Sequence, residues 1–232
     1  MAGGDWSLAS NSAFIQATKD TTANTSGFFL ETGPVANQSF ANGASTGTPS
    51  LYVGGSDYSS IYTPTGTEMS IAANANGLYD LENVGFGKMT FASSVPSSGF
   101  YEELGYPNQA QAAQIATNFK GMGLPSYLWY QMVNLLYKVD ATVASELFCD
   151  DNNGGRCKLI KPCASYPNLW SSGWSFKVKY TGDNNYVIVP IAALAVDDTA
   201  NSYCDIWVQY LETGTTQSEN VIFGSLVNQL FA

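Results

Sequence analysis

"WSFKVKYTGDNNYVIVPIAALAV", Trp174–Val196, decides the fold. Apolar and polar residues alternate on both sides of "TGDNN", Thr181–Asn185. A period of two is the mark of a half-buried strand, and Gly with Asn supplies the backbone freedom of a turn. The stretch therefore predicts a β-hairpin. Downstream, "SYCDIWVQYL" (Ser202–Leu211) reads as a strand, and "ENVIFGSLVNQLFA" (Glu219–Ala232) as a strand passing into a short helix. Upstream, "CDDNNGGRC" (Cys149–Cys157) holds an Asn153-Gly154 turn between two cysteines, a second hairpin signature. It faintly resembles a calcium loop but lacks the acidic residue that would close one.

The clearest helix is "LPSYLWYQMVNLLYKV", Leu124–Val139. Leu128, Met132, Leu135 and Leu136 recur at helical spacing, and Pro125 suits a first turn where its missing N–H costs nothing. "NQAQAAQIA" (Asn108–Ala116) predicts another short helix, and Glu68–Phe91 reads as strands around an Asn/Gly turn. Residues 1–27, polar and rich in Gly, Ala, Ser and Thr, read as an arm more than a core segment. The expected fold is all-β with one or two short helices.

Composition narrows the function. The chain has 232 residues, 45% of them hydrophobic, enough for one sizeable core or two small lobes. Net charge is −10 with only 9 Lys+Arg, which disfavours nucleic-acid binding. No run is long enough to span a membrane. The absence of histidine removes Ser-His and Cys-His nucleophile pairs and every His-ligated metal site. The four cysteines, Cys149, Cys157, Cys163 and Cys204, include no CxxC pair, so two disulfides are expected and no metal or cofactor; the residues alone leave three pairings open. A low charged fraction of 12% and an Asn/Ser/Thr-rich surface point to an extracellular or lumenal protein. Asn24 and Asn37 head glycosylation triplets, a pattern that also arises by chance in such a chain.

The second half resembles the C-terminal lobe of the pepsin-like aspartic proteases. "GLPSYLWYQMVNLL" (Gly123–Leu136) is similar to the helix after the second catalytic loop. "YPNLWSSGWSFKVKYTGDNNYVIVP" (Tyr166–Pro190), "YCDIWVQYL" and "ENVIFGSLVNQLF" follow in the family's order. In the first half, "GPVANQSFANGASTGTPSLYV" puts Gln38, Phe40, Thr46, Gly47, Leu51 and Val53 in register with the first catalytic loop. "NGLYDLENVGFG" (Asn76–Gly87) looks like the segment after the family's flap. The resemblance implies a reduced bilobal architecture: a polar arm at 1–27, an N-terminal-lobe-like region at 28–115, and a C-terminal-lobe-like region at 116–232.

It also implies lost chemistry. The family's first aspartate falls on Ser45, ahead of Thr46 and Gly47. Counting back nine residues from Pro125, the second falls on Ala116, ahead of Thr117 and Asn118. The family's hydrolysis needs two carboxylates about 3 Å apart sharing a proton. Serine has no suitable pKa and alanine has no polar group, so no protease of that mechanism is expected. Family likeness further implies Cys163–Cys204, which leaves Cys149–Cys157 facing each other across the Asn-Gly hairpin. It implies a strand after "NQLF" as well, absent here, so that a sheet edge would be met by the arm or by a neighbouring subunit.

The expected role is a structural or assembly subunit with a protein partner, by self-association or in a larger complex. The alternative is a peptide- or glycan-binding module using an aromatic row from Tyr101, Tyr106, Trp129, Trp170 and Trp174, although such residues more often fill a core. An enzyme of other chemistry would need carboxylate pairs. Glu102/Glu103, Asp150/Asp151 and Asp197/Asp198 offer them, but neighbours on a strand point to opposite faces and these read as solvated turns.

Overall fold

A computed structural model describes residues 28–31, 50–53, 71–88, 111–116, 118–150, 155–183, 186–211 and 220–228. Its strands are β1 (Phe28–Glu31), β2 (Ser50–Val53), β3 (Tyr79–Lys88), β4 (Gln111–Ile115), β5 (Met122–Pro125), β6 (Leu147–Asp150), β7 (Arg156–Leu159), β8 (Trp174–Tyr180), β9 (Tyr186–Pro190), β10 (Ala195–Asp198), β11 (Tyr203–Ile206), β12 (Val208–Leu211) and β13 (Val221–Phe223). The α-helices are α1 (Ser126–Leu136), α2 (Ala141–Glu146), α3 (Pro167–Ser171) and α4 (Ser225–Asn228). The fold is mainly β. β1 pairs with β2; a four-stranded sheet runs β10-β11-β7-β6; a seven-stranded sheet runs β12-β5-β13-β4-β3-β8-β9. The larger sheet takes strands from both sides of residue 116.

The quoted hairpin forms as its alternation demands. β8 pairs antiparallel with β9, Phe176 opposite Val189 and Val178 opposite Val187. These four side chains are buried, while Lys177 and Lys179 lie on the other face with their ammonium groups over the Tyr186 ring. On its other edge β8 pairs with β3, and Phe86, opposite Phe176, stacks on Trp174 with centroids 5.5 Å apart. α1 covers the sheet with Leu128, Met132 and Leu136, all fully buried. Each such side chain stabilises the fold by about 1.5–3 kcal/mol.

Four expectations change. Within "NQAQAAQIA", Gln111–Ile115 form β4 and not a helix: flanked by β13 and β3, they have a ladder on both edges, and fully buried Ala113 fits the tight interior. Tertiary pairing overrides the helix propensity of Ala and Gln. "YPNL", a strand by family likeness, is instead helical from Pro167, which opens α3 after a 3-10 turn at Cys163–Ser165. "SYCDIWVQYL" is two strands in different sheets, divided at Trp207, whose N–H donates to Leu194 O and whose carbonyl accepts from Met122 N. α2 and α3 were not anticipated, and the described residues hold four α-helices where one or two were expected. The α2 start is an Asp140 cap, whose carboxylate accepts the Val143 N–H at 2.8 Å.

Both disulfides form. Cys149–Cys157 joins opposite residues of β6 and β7, with Cα atoms 4.1 Å apart. Cys163–Cys204 ties the 3-10 turn to β11, with Cα atoms 4.7 Å apart. The Asp197 carboxylate beside this second bridge accepts the Cys163 N–H at 2.7 Å.

The bridges close chain separations of 8 and 41 residues. Loop entropy then assigns about 2.5 kcal/mol to the first and about 4 kcal/mol to the second. Denaturant unfolding of C149A/C157A and C163A/C204A checks this; a larger loss in the first pair contradicts the assignment.

Candidate functional site

The loop between β4 and β5, residues 116–121, is where the resemblance places one catalytic aspartate. β13 is threaded between these strands, parallel to β4 (Phe223 opposite Ile115) and antiparallel to β5 (Phe223 opposite Met122). As β4 ends, Ala116 N–H donates to Phe223 O at 2.9 Å, and Phe119 N–H turns back to Ala116 O at 3.0 Å. From the other side the start of α4 closes on the loop. Gly224 N–H donates to Gly121 O (2.8 Å), Ser225 N–H to Phe119 O (2.7 Å) and Leu226 N–H to Lys120 O (2.8 Å). The Ser225 hydroxyl adds a bond to Lys120 O at 3.2 Å. Helix-start amides and loop carbonyls, both lacking partners in their own elements, satisfy each other.

Two glycines make this crossing possible. A Cβ on Gly224 would stand 2.2 Å from Phe119 O, and one on Gly121 would stand 1.8 Å from Trp207 O. Neither distance is sterically allowed, so the backbones meet only because both side chains are absent.

The chemistry available here is sparse. Ala116 is 6% exposed and presents a methyl group. Asn118 is exposed, and Lys120 is the one titratable residue in 116–121. Ser45, Thr46, Gly47 and Thr117, and the glycosylation candidates Asn24 and Asn37, lie outside the described residues. Trp129 and Trp174 are core residues, and Trp170 is half-buried with its indole N–H on Cys163 O at 2.6 Å. They do not form an exposed row; Tyr101 and Tyr106 lie outside the described residues.

The carboxylates divide as well. Asp150 is exposed. Asp198 is a turn residue, accepting from the Ala200 and Asn201 amides, and these bonds, led by the Asn201 side chain, hold its carboxyl below the usual range. Asp197, expected as a solvated turn, is instead the internal acceptor for Cys163. It lies within 4.8 Å of the Cys163 and Cys204 sulfurs, but these are bonded to each other and are not thiolate ligands. Glu102, Glu103 and Asp151 lie outside the described residues.

A cluster that sequence reasoning missed lies beside the loop. Lys120 Nζ stands 4.1 Å from the centre of the Trp207 ring, and Arg156 Cζ 4.6 Å from it. Lys158 Nζ is 5.2 Å from the Tyr203 ring on the same strand pair. Burial lowers the Lys120 pKa and Arg156 adds to this, against Asp205 and Asp198. Burial raises that of Asp205, against Arg156, Lys120 and Lys158. No local pattern announces this grouping, because it is assembled by the sheet switch at Trp207.

No family model and no curated protein matches the chain. Among solved structures it is similar to the crystal structure of aspartic proteinase from Irpex lacteus, with 15% identity, 77% of this chain and 46% of that chain covered, and a TM-score of 0.48. The chain thus spans less than half of that protein's length.

Gly121→Ala should cost more than about 3 kcal/mol or prevent folding, because backbone cannot retreat as a side chain can. Gly182→Ala, at φ +85° with nothing within 4 Å, should cost only about 1–2 kcal/mol. Thermal unfolding of the two variants checks the order, and equal losses contradict the crossing.

Proposed function

We propose that this chain is a non-catalytic, pepsin-like domain that acts as a structural or assembly subunit. The observation that carries this reading is the 116–121 loop: a buried alanine methyl where the resemblance calls for a carboxylate, in a loop whose carbonyls are bound to the α4 amides. Acid-protease chemistry needs two close carboxylates with divergent proton affinities. The loop offers none, and the matching position in the first half of the sequence is Ser45. The same crossing that would position a catalytic group serves here to join β4, β5 and β13.

Two disulfides suit an oxidising compartment, extracellular or lumenal. Among the described residues no helix is long and apolar enough to cross a membrane. The assembly reading is supported by β9, an edge strand that pairs on one side only among the described residues. Edge strands are normally covered or paired. A partner strand from another subunit would complete it.

Acid incubation with a denatured protein substrate should give no pepstatin-sensitive cleavage, and Ala116→Asp should not restore it, because one carboxylate has no partner to share a proton with. Cleavage by the purified chain overturns the non-catalytic reading. Light scattering at micromolar concentration should give a mass above one chain, alone or with co-purifying partners; a stable monomer without partners contradicts the assembly role.

A further inference from the structure

We propose that the outer face of β7 and β11 around Trp207 binds an oxyanion group, a carboxylate or phosphate carried by a ligand. Three hydrogen-bond donors gather there. Lys120 Nζ and Arg156 Cζ stand 4.1 and 4.6 Å from the centre of one indole ring. The indole's own Nε1–H is buried and has no acceptor among the described residues. Buried N–H groups in native proteins are nearly always paired, so an unpaired one beside two cations calls for an acceptor from outside.

The charge arrangement points the same way. Lys120 and Arg156 repel each other; the partly buried Asp205 acts on both, and Asp150 of β6 stands opposite Arg156 in the ladder. Gathering Lys120 of the crossing loop beside Arg156 and Lys158 of β7, three of the chain's nine Lys and Arg, runs against a net charge of −10. Such local conflict is expected where a ligand completes the site. The Arg156 side chain is exposed, and a guanidinium fork fits the planar oxygens of a carboxylate or the edge of a phosphate with two parallel bonds. The cations and the indole N–H all donate, which selects an acceptor-only group over a neutral amide or hydroxyl.

This site is independent of whether the 116–121 loop is catalytic. Nitrogen-15 spectra of the full chain show the indole N–H signals of its five tryptophans, and Trp207→Phe assigns the relevant one. Inorganic phosphate and acetate are titrated separately, with sodium chloride at matched ionic strength as the control. The Trp207 signal should move saturably with phosphate or acetate and not with chloride, the tighter of the two identifying the ligand's group. Arg156→Gln should weaken that binding at least about tenfold, through loss of the charge and of the two-bond fork. Lys120→Gln should do the same; if it fails to fold, Arg156→Gln, on an exposed side chain, decides alone. A response to phosphate and acetate no greater than to chloride overturns the proposal, as does unchanged affinity in Arg156→Gln.

Discussion

The structure depends on one backbone crossing: β13 threaded between β4 and β5, with the first turn of α4 bonded to the loop that joins them. Three amides meet three carbonyls there, and neither partner has an alternative inside its own element. Leaving a buried backbone group unpaired costs about 1–3 kcal/mol, so the crossing forms as a unit. It also brings together distant parts of the sequence, since Lys120 and Ser225 are 105 positions apart, a separation whose closure is slow.

From this point the rest of the architecture can be traced. Gly121 must lack a side chain because Trp207 O lies against it, and Trp207 is where the chain leaves the four-stranded sheet for the seven-stranded one. The bonds from Leu194 O to Trp207 N and from Trp207 O to Met122 N couple the two sheets through one residue. Cys163–Cys204 secures the strand that leads into this switch. The cations on the Trp207 ring are a consequence: β7 delivers Arg156, the crossing loop delivers Lys120, and both stand over the one indole.

Much of this was legible in the sequence, for identifiable reasons. The β8–β9 hairpin has strict alternation around a Gly/Asn turn, and α1 has a long apolar stripe; both are local signals. Both disulfides were anticipated, one through family likeness and one through the Asn-Gly turn. β4 was misread because Ala and Gln favour helix wherever no sheet competes, and its pairing partners are remote. α2 was missed because six residues with Thr and Val give a weak helical signal, which left Asp140 as its sole mark. The break at Trp207 had no local sign, because its apolar alternation continues across two sheets. Of the candidate site, the family resemblance put the second aspartate position on Ala116 by its distance from Pro125, and the tying of loop carbonyls by α4 is visible only in three dimensions.

Amide hydrogen exchange tests the crossing most directly. If the 116–121 loop is a closed structural junction, the amides of Gly224, Ser225 and Leu226 exchange only through global unfolding, as slowly as those of Phe176 and Val178 in the central strands. If these three exchange as fast as the turn amides of Ala200 and Asn201, the loop opens on its own, and a locked junction is contradicted.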